Sequence, residues 1–368
     1  PIKMTADDSS KTVDASSAPQ RDESDVYDRQ IRLWGADAQN KIGKTKVLYI
    51  HVTSVSAEIM KNLVLAGVQA SLCDGRPLEA MADTPTSFLD PTLFSAKEND
   101  IENKRKRSKG QTVAQAMKPH IEELNPLLGD CVIENSLVED LRDDFFAAYD
   151  IVIASRVGIA QATRISQAVT SKGGKFYLVD CFGWYGGAIM DLGSQHLYKK
   201  ELGKDKLSDY QKMDTYVSFD DIIKMKLSES TNRFHKSCPP DVWMRYRCIL
   251  QYHAETNMWP SADKQDHFCN TITQWVIEQE NKDTKTAETI LKQDCLQSSE
   301  LKQLATMATA QVSPVCAVLG GVIGNEVIKV ISGKAEPANN TLLFDGFTGA
   351  CQTFLIGNKF KGNNSKAQ

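Results

Sequence analysis

A nine-residue segment near the start of the chain, Tyr27-Asp28-Arg29-Gln30-Ile31-Arg32-Leu33-Trp34-Gly35, gathers two arginines, an acid and several large apolar side chains. A guanidinium is a permanent cation with a planar fork of donors. It suits phosphates and charge that develops in a transition state. The same residue types also make a solvated ion-pair cluster, with Asp28 between Arg29 and Arg32 while Ile31, Leu33 and Trp34 dock the segment. Composition alone favours the second reading.

A second stretch bears on the same chemistry. Residues 46–52 form an apolar run that predicts a strand, and 57–66 predicts a helix with Ile59, Leu63 and Ala66 on one face. Between them runs His51-Val52-Thr53-Ser54-Val55-Ser56-Ala57. In a nucleotide-binding fold this turn is glycine-rich, because a Cβ would block the backbone's approach to a phosphate resting on the helix N-terminus. Here the turn contains no glycine. The expectation is a nucleotide-binding topology whose phosphate cradle is filled with side chains.

Gly67 ends that helix and 70–74 predicts a second strand. A helix over 111–124 stops at Asn125-Pro126, since proline disfavours the helical conformation of the residue before it. Short apolar strands are expected at 131–134, 151–154 and 176–181, with a helix over 161–171. Strand and helix alternating at this spacing imply an α/β domain with a doubly wound, mostly parallel sheet of Rossmann-like type. After Gly193 the chain becomes polar and helix-rich. Trp243, Tyr246, Ile249, Leu250 and Tyr252 suggest one amphipathic helix there, and Phe268, Ile272, Trp275 and Val276 another. The expected organisation is a disordered tail (1–24), a first α/β part (25–193), a helical insertion (194–305), a return to the α/β domain (306–357) and a second loose end (358–368). The return holds a long apolar helix, a turn at Asn339-Asn340 and two strands near 342–344 and 352–355.

The 368 residues are 41% hydrophobic and 24% charged, with a net charge of −4, which argues against a general nucleic-acid binder. The most apolar stretch, 314–331, is interrupted by Asn325, Glu326 and Lys329 and reads as a buried helix rather than a membrane span. Nine cysteines lie scattered without a C-x-x-C pair, which predicts reduced core thiols and no zinc site. Cys181 closes an apolar strand with no neighbouring activator and is read as core. A lone His51 at a strand end is read as structural.

Five blocks, in order, resemble the ubiquitin-like-protein activating enzymes: Tyr27–Gly35, the 46–52 strand with the 58–67 helix, Leu124-Asn125-Pro126, the run from Ser313 to Gly321, and the run from Asn339 to Gly346. Together they span roughly 25–356 and stand nearest the small subunits of SUMO-activating heterodimers. The resemblance implies an adenylation fold of the ThiF and MoeB type. It implies a chemistry in which a competent half binds ATP and Mg²⁺, joins a modifier's C-terminal carboxylate to AMP, and passes the acyl group to a cysteine of the larger subunit.

Such a half needs a glycine turn, an acid ending the second strand, a basic residue early in the next helix and a metal-binding acid after the fourth strand. This chain has His51, Ser54 and Ser56 at the glycine positions, and Val113 at the basic one. Ala154-Ser155-Arg156-Val157-Gly158, where the metal acid belongs, has no carboxylate for Mg²⁺. Asp74 remains, to hold a ribose or to cap a loop. The resemblance therefore implies a pseudo-adenylation half that binds no cofactor itself, with ATP and Mg²⁺ on the partner. It assigns Arg29 to that partner's ATP site in trans and leaves Arg32 structural.

The implied partners are the larger catalytic subunit and, through the complex, SUMO and the SUMO-conjugating enzyme, with neither nucleic acid nor membrane. Two alternatives are the small subunit of a NEDD8-activating enzyme, which carries a longer insertion, and a stand-alone Rossmann enzyme that binds its own nucleotide. Lys104-Arg105-Lys106-Arg107 with Lys109 reads either as a solvated loop or as a nuclear import patch, and the resemblance favours the nucleus.

Overall fold

A computed structural model describes residues 26–78, 110–200, 202–203, 206–230, 239–280 and 283–357. In chain order the elements begin with α1 (Asp28–Trp34), α2 (Ala36–Lys44), β1 (Lys46–Ile50), α3 (Ser54–Leu65) and β2 (Gln69–Cys73). After the gap come α4 (Val113–Leu124), β3 (Val132–Glu134), α5 (Asp143–Phe146), β4 (Ile151–Ala154), α6 (Ile159–Ser171), β5 (Lys175–Phe182) and β6 (Tyr185–Asp191). A small ribbon of β7 (Leu197–Tyr198) and β8 (Gln211–Lys212) leads into α7 (Phe219–Lys224), α8 (Asp241–Thr256), α9 (Gln265–Gln279), α10 (Thr284–Leu291) and α11 (Ser298–Met307). The chain then returns through α12 (Ser313–Ser332), β9 (Thr341–Asp345) and β10 (Ala350–Phe354).

Eight strands form one sheet in the order β10-β9-β6-β5-β4-β1-β2-β3. The pairs linking β3, β2, β1, β4 and β5 are all parallel. From β5 onward β6, β9 and β10 pair antiparallel. The strand order reverses direction between β1 and β4, the switch point where α/β folds place their ligands. The α/β expectation therefore holds, with an antiparallel extension on one side. The sequence reading passed over β6 because Gly186 and Gly187 interrupt its apolar pattern. A Cβ at Gly186 would come within 2.1 Å of Leu319 on α12, so a bare backbone is what lets that helix lie on the strand.

Side chains alternate between the two faces, as the period of two in a strand demands. Val47, Tyr49, Ile151, Ile153, Tyr177 and Val179 point into one buried cluster with α3, α4 and α12. Leu48, Ile50, Val152, Ala154, Phe176 and Leu178 point into the other with α6, α8 and α9. Trp243, Tyr246, Ile249 and Leu250 of α8 and Phe268, Ile272 and Val276 of α9 belong to that second cluster. Those helices thus cover one face of the sheet and share its core.

Helix α12 is long and apolar enough to cross a bilayer by length and composition, but over half of that stretch is buried in the fold. It packs on α3 through small residues. A Cβ at Gly320 would approach the Glu58 Cβ to 2.4 Å and its carbonyl carbon to 2.9 Å, and one at Gly324 would reach the Asn62 Cβ at 3.2 Å. Gly321 faces open space, so only two of the three glycines serve the contact. Gly320→Ala should force the two helices apart and cost about 1–3 kcal/mol. Gly321→Ala, by contrast, should be neutral or slightly stabilising, since alanine is the better helix former. Denaturant midpoints of the two variants check this pair.

Eight cysteines among the described residues are free thiols. Seven are buried and Cys351 is exposed on β10. Cys351 departs from the expectation of core thiols because β10 is an edge strand with one open face.

Candidate functional site

The anchor of the N-terminal segment is Tyr27, a residue on which the sequence reading placed no weight. Its ring is 2% exposed and lies against Gly67, where a Cβ would meet the ring and hydroxyl at 3.1 Å. Asn125 donates through Nδ2 to the Tyr27 hydroxyl (2.7 Å) and to the Val64 carbonyl (2.8 Å). Gln30 donates to the Leu65 carbonyl. Trp34 donates to Gln39, and Lys334 donates to the Trp34 carbonyl. Positions 27, 30, 31 and 34 thus form the inner face of α1, at helical spacing.

Arg29 and Leu33, four residues apart, share the outer face. Leu33 is 77% exposed, so it does not dock the segment as its hydrophobicity suggested. A seven-residue helix has one inner face, and Tyr27, Ile31 and Trp34 occupy it. Arg32 pairs with Asp28 at 2.9 Å on the surface, a contact worth little in stability. Arg29 is exposed and makes no hydrogen bond or ion pair with another described residue. Its helix is pinned to the C-terminal end of α3, whereas the switch-point pocket lies at the N-terminus of that helix, about 18 Å away at 1.5 Å per residue.

That pocket is built from chain that satisfies itself. His51 takes a left-handed backbone (φ 57°) that glycine adopts more readily. Its Nδ1 sits 3.2 Å from the Arg156 carbonyl. Burial, then the nearby Arg76 cation, holds the imidazole below its usual pKa, so it is neutral at physiological pH. Thr53 caps α3, accepting from the Ser56 amide at 3.3 Å, while Ser56 Oγ accepts from the Thr53 amide at 2.7 Å. This capping box starts the helix three residues earlier than predicted and uses amide donors that a phosphate would otherwise take. Ser54, the first residue of α3, is buried beside it.

Asp74 is fully buried. One oxygen accepts from the Val52 amide (2.8 Å) and from Arg76 Nη2 (2.7 Å), the other from Arg76 Nε (2.8 Å). Of the two roles the sequence left open, the geometry is that of a loop clamp. Val113 is fully buried at the start of α4 and donates its amide to the Arg76 carbonyl. Four of the predicted positions (His51, Ser54, Ser56 and Asp74) therefore meet around one turn, Val113 closes its outer side, and Arg29 stands apart.

Where a metal-binding acid would follow β4, the structure places a guanidinium. Arg156, 9% exposed at its side chain, donates through Nη2 to the carbonyls of Cys181 (2.5 Å) and Ala308 (2.7 Å). Asp180 on β5, 2% exposed, accepts from the Arg156 amide (2.8 Å), the Tyr246 hydroxyl (2.7 Å) and the Ser155 hydroxyl (3.3 Å). Thr53 meets Ser155 at 2.8 Å and so joins the α3 cap to this network. Trp259 lies under the Arg156 cation at 5.3 Å, with the His253 ring tilted against it at 4.1 Å. His253 also covers Gly158, at the start of α6.

A cavity of about 310 Å³ remains, lined by His51, Thr53, Arg76, Arg156, His253 and Trp259 among others. That is at the lower end of the ~300–1,000 Å³ range of small-molecule sites. A cavity of about 390 Å³ opens near Lys46, Ser71, Asn125 and Tyr149, at the opposite, amino-terminal ends of the parallel strands.

Sequence reasoning missed Arg76, Asp180 and Trp259, placed Tyr246 only on an amphipathic helix, and noted Arg156 only as the absence of an acid. Arg76 had a signal, standing two residues after Asp74. Tyr246 and Trp259 had none, because nothing local says that α8 folds back over the switch point. Cys181 is fully buried, as its apolar neighbours suggested. The basic run from Lys104 to Lys109 lies outside the described residues.

The model of the ThiF family matches residues 94–365 of the chain. Among curated proteins, SUMO-activating enzyme subunit 1 of Danio rerio is 26% identical over 351 residues, covering 89% of this chain and 93% of that protein. The Xenopus tropicalis protein of the same name is 28% identical over 358 residues (88% and 93%). SUMO-activating enzyme subunit 1B-1 of Arabidopsis thaliana is 28% identical over 330 residues (89% and 94%).

Proposed function

The chain belongs to the ThiF family, and from that premise we propose that it is the non-catalytic subunit of a SUMO-activating heterodimer. In this reading the larger subunit binds ATP and Mg²⁺, adenylates the SUMO C-terminus and takes the acyl group on its own cysteine. The present chain supplies Arg29 to that ATP site in trans, where a fixed cation stabilises the charge developing as pyrophosphate leaves. The complex works in the nucleus and hands SUMO to the conjugating enzyme. The names of the relatives support the pathway, and their coverage supports equivalence along nearly the whole chain.

One observation carries the division of labour. Arg29 is exposed and without a described partner at one end of α3, while the pocket at the other end spends its amides, Asp74 and the β4 terminus on internal contacts. An arginine so placed is free to serve a site on another chain. The Thr53–Ser56 cap and the Arg156 guanidinium at the switch point support placing ATP and its metal on the larger subunit.

Two measurements test the reading. Calorimetric titration of the isolated chain with ATP·Mg²⁺ should show no binding tighter than about 1 mM. Mixing it with the larger subunit should give a co-eluting complex with SUMO-dependent ATP–pyrophosphate exchange that neither chain shows alone. Micromolar ATP or NAD binding by the isolated chain would instead favour a stand-alone nucleotide enzyme. Exchange with NEDD8 in place of SUMO would move the chain to the neighbouring pathway.

A further inference from the structure

Arg247 is a charge that the fold buries without a counter-charge among the described residues. It stands on α8 and is 2% exposed. Its guanidinium lies 5.8 Å from the ring centres of both Trp243, one turn earlier on α8, and Trp275 on α9. Neither Nε nor Nη1 has a hydrogen-bond partner. No carboxylate pairs with it among the described residues, whereas Arg245, two positions earlier, meets Glu300 at 2.8 Å. The segment 231–238 just before α8, outside the described residues, contains no Asp or Glu. Glu280, buried after the last turn of α9, is already committed to the amide and hydroxyl of Ser228.

The other buried side-chain groups on α8 and α9 that lack a partner are also donors. Trp243 Nε1 is buried without an acceptor, as is Nε2 of Gln279, one turn beyond Trp275 on α9. The Gln279 carbonyl oxygen already accepts from the Leu227 amide, so the orientation of that amide group is set and its NH₂ is left over. Burial draws the guanidinium down to about 10, which still leaves it charged at neutral pH. A buried cation without compensation is among the most costly arrangements in a core. A water molecule can accept a hydrogen bond but cannot neutralise the charge.

We propose that Arg247, between Trp243 and Trp275, holds a small monovalent anion of the halide class at the contact between α8 and α9. The ion accepts from the guanidinium and neutralises it, and so ties together the two helices that cover one face of the sheet. Two aromatic walls suit a weakly hydrated anion beside a guanidinium better than a strongly hydrated one.

Thermal unfolding of the full chain tests this, with chloride exchanged for gluconate at constant ionic strength so that screening does not change. The midpoint should rise saturably with chloride, by about 1–3 °C. Arg247→Met should abolish the dependence, and in chloride-free buffer it should be at least as stable as the native chain, because it removes a buried unpaired charge. Should that variant fail to fold, crystals of the native chain soaked in bromide decide the matter, with an anomalous peak expected within hydrogen-bond distance of Arg247 Nε or Nη1. A chloride-independent midpoint in the native chain, an unchanged dependence in Arg247→Met, or no bromide peak at the guanidinium would each overturn the proposal.

Discussion

Replacing Arg29 by alanine should lower SUMO-dependent ATP–pyrophosphate exchange of the reconstituted heterodimer by at least about tenfold, the scale of one charge-assisted contact made preferentially in the transition state. Subunit affinity should change little. Arg29 contributes nothing to the internal packing of α1, which is held by Tyr27, Gln30 and Trp34. Folding should be equally insensitive, because the side chain is exposed and unpaired among the described residues. The effect should fall on kcat rather than on KM for SUMO, since the cation meets charge that appears as pyrophosphate departs. Arg29→Lys should recover only part of the activity, a point charge lacking the guanidinium's paired donors. If exchange is unaltered while the complex stays intact, α1 only docks and the trans role is wrong. Arg32→Ala is the internal control. Its exposed pair with Asp28 predicts a loss near zero in both exchange and stability.

The largest effect on stability should come from the other end of α3. Asp180→Ala is expected to cost about 3–5 kcal/mol, because it leaves the buried Arg156 cation without its carboxylate. Three donors lose their acceptor at once: the Arg156 amide, the Tyr246 hydroxyl and the Ser155 hydroxyl. Those donors come from the turn after β4 and from α8, so the loss should loosen α8 from the sheet. Hydrogen exchange should show it, with protection falling in α8 before it falls in β1 or β4. Tyr246→Phe should cost far less, on the order of 1 kcal/mol, since the aromatic ring keeps its stack on Phe182. Equal losses in the two variants would mean that Asp180 serves only the tyrosine and that Arg156 is compensated elsewhere.

How far each part was legible follows from the separation of the residues involved. The strands β1, β2, β4 and β5 could be read because their apolar runs and the glycine or proline that ends them lie within a few positions of one another. The helix start at Ser54 was misread by three residues. A capping box of Thr53 and Ser56 carries no hydrophobic periodicity, and the prediction rested on periodicity. Strand β6 was passed over for a related reason, because Gly186 matters to α12 and Gly187 to α8 and β9, all far along the chain. Leu33 shows the converse error. Its side chain is apolar, yet the helical phase set by Tyr27 and Trp34 turns it outward.

The missing glycines of the turn, the missing carboxylate after β4 and the arginines near position 30 are matters of composition at known positions. The amino-acid sequence by itself therefore determined an α/β nucleotide-binding topology whose switch-point turn carries no glycine and whose β4 terminus carries no carboxylate. Only the tertiary structure decided what occupies the switch point. Positions 156, 180 and 246 meet around one buried guanidinium, and Tyr27, Gly67 and Asn125 meet at the far end of α3 to turn Arg29 outward. Contacts of that kind depend on how helices cross a sheet, which short-range patterning does not encode. A side chain's neighbours across the core are chosen by packing and by the need to satisfy every buried charge.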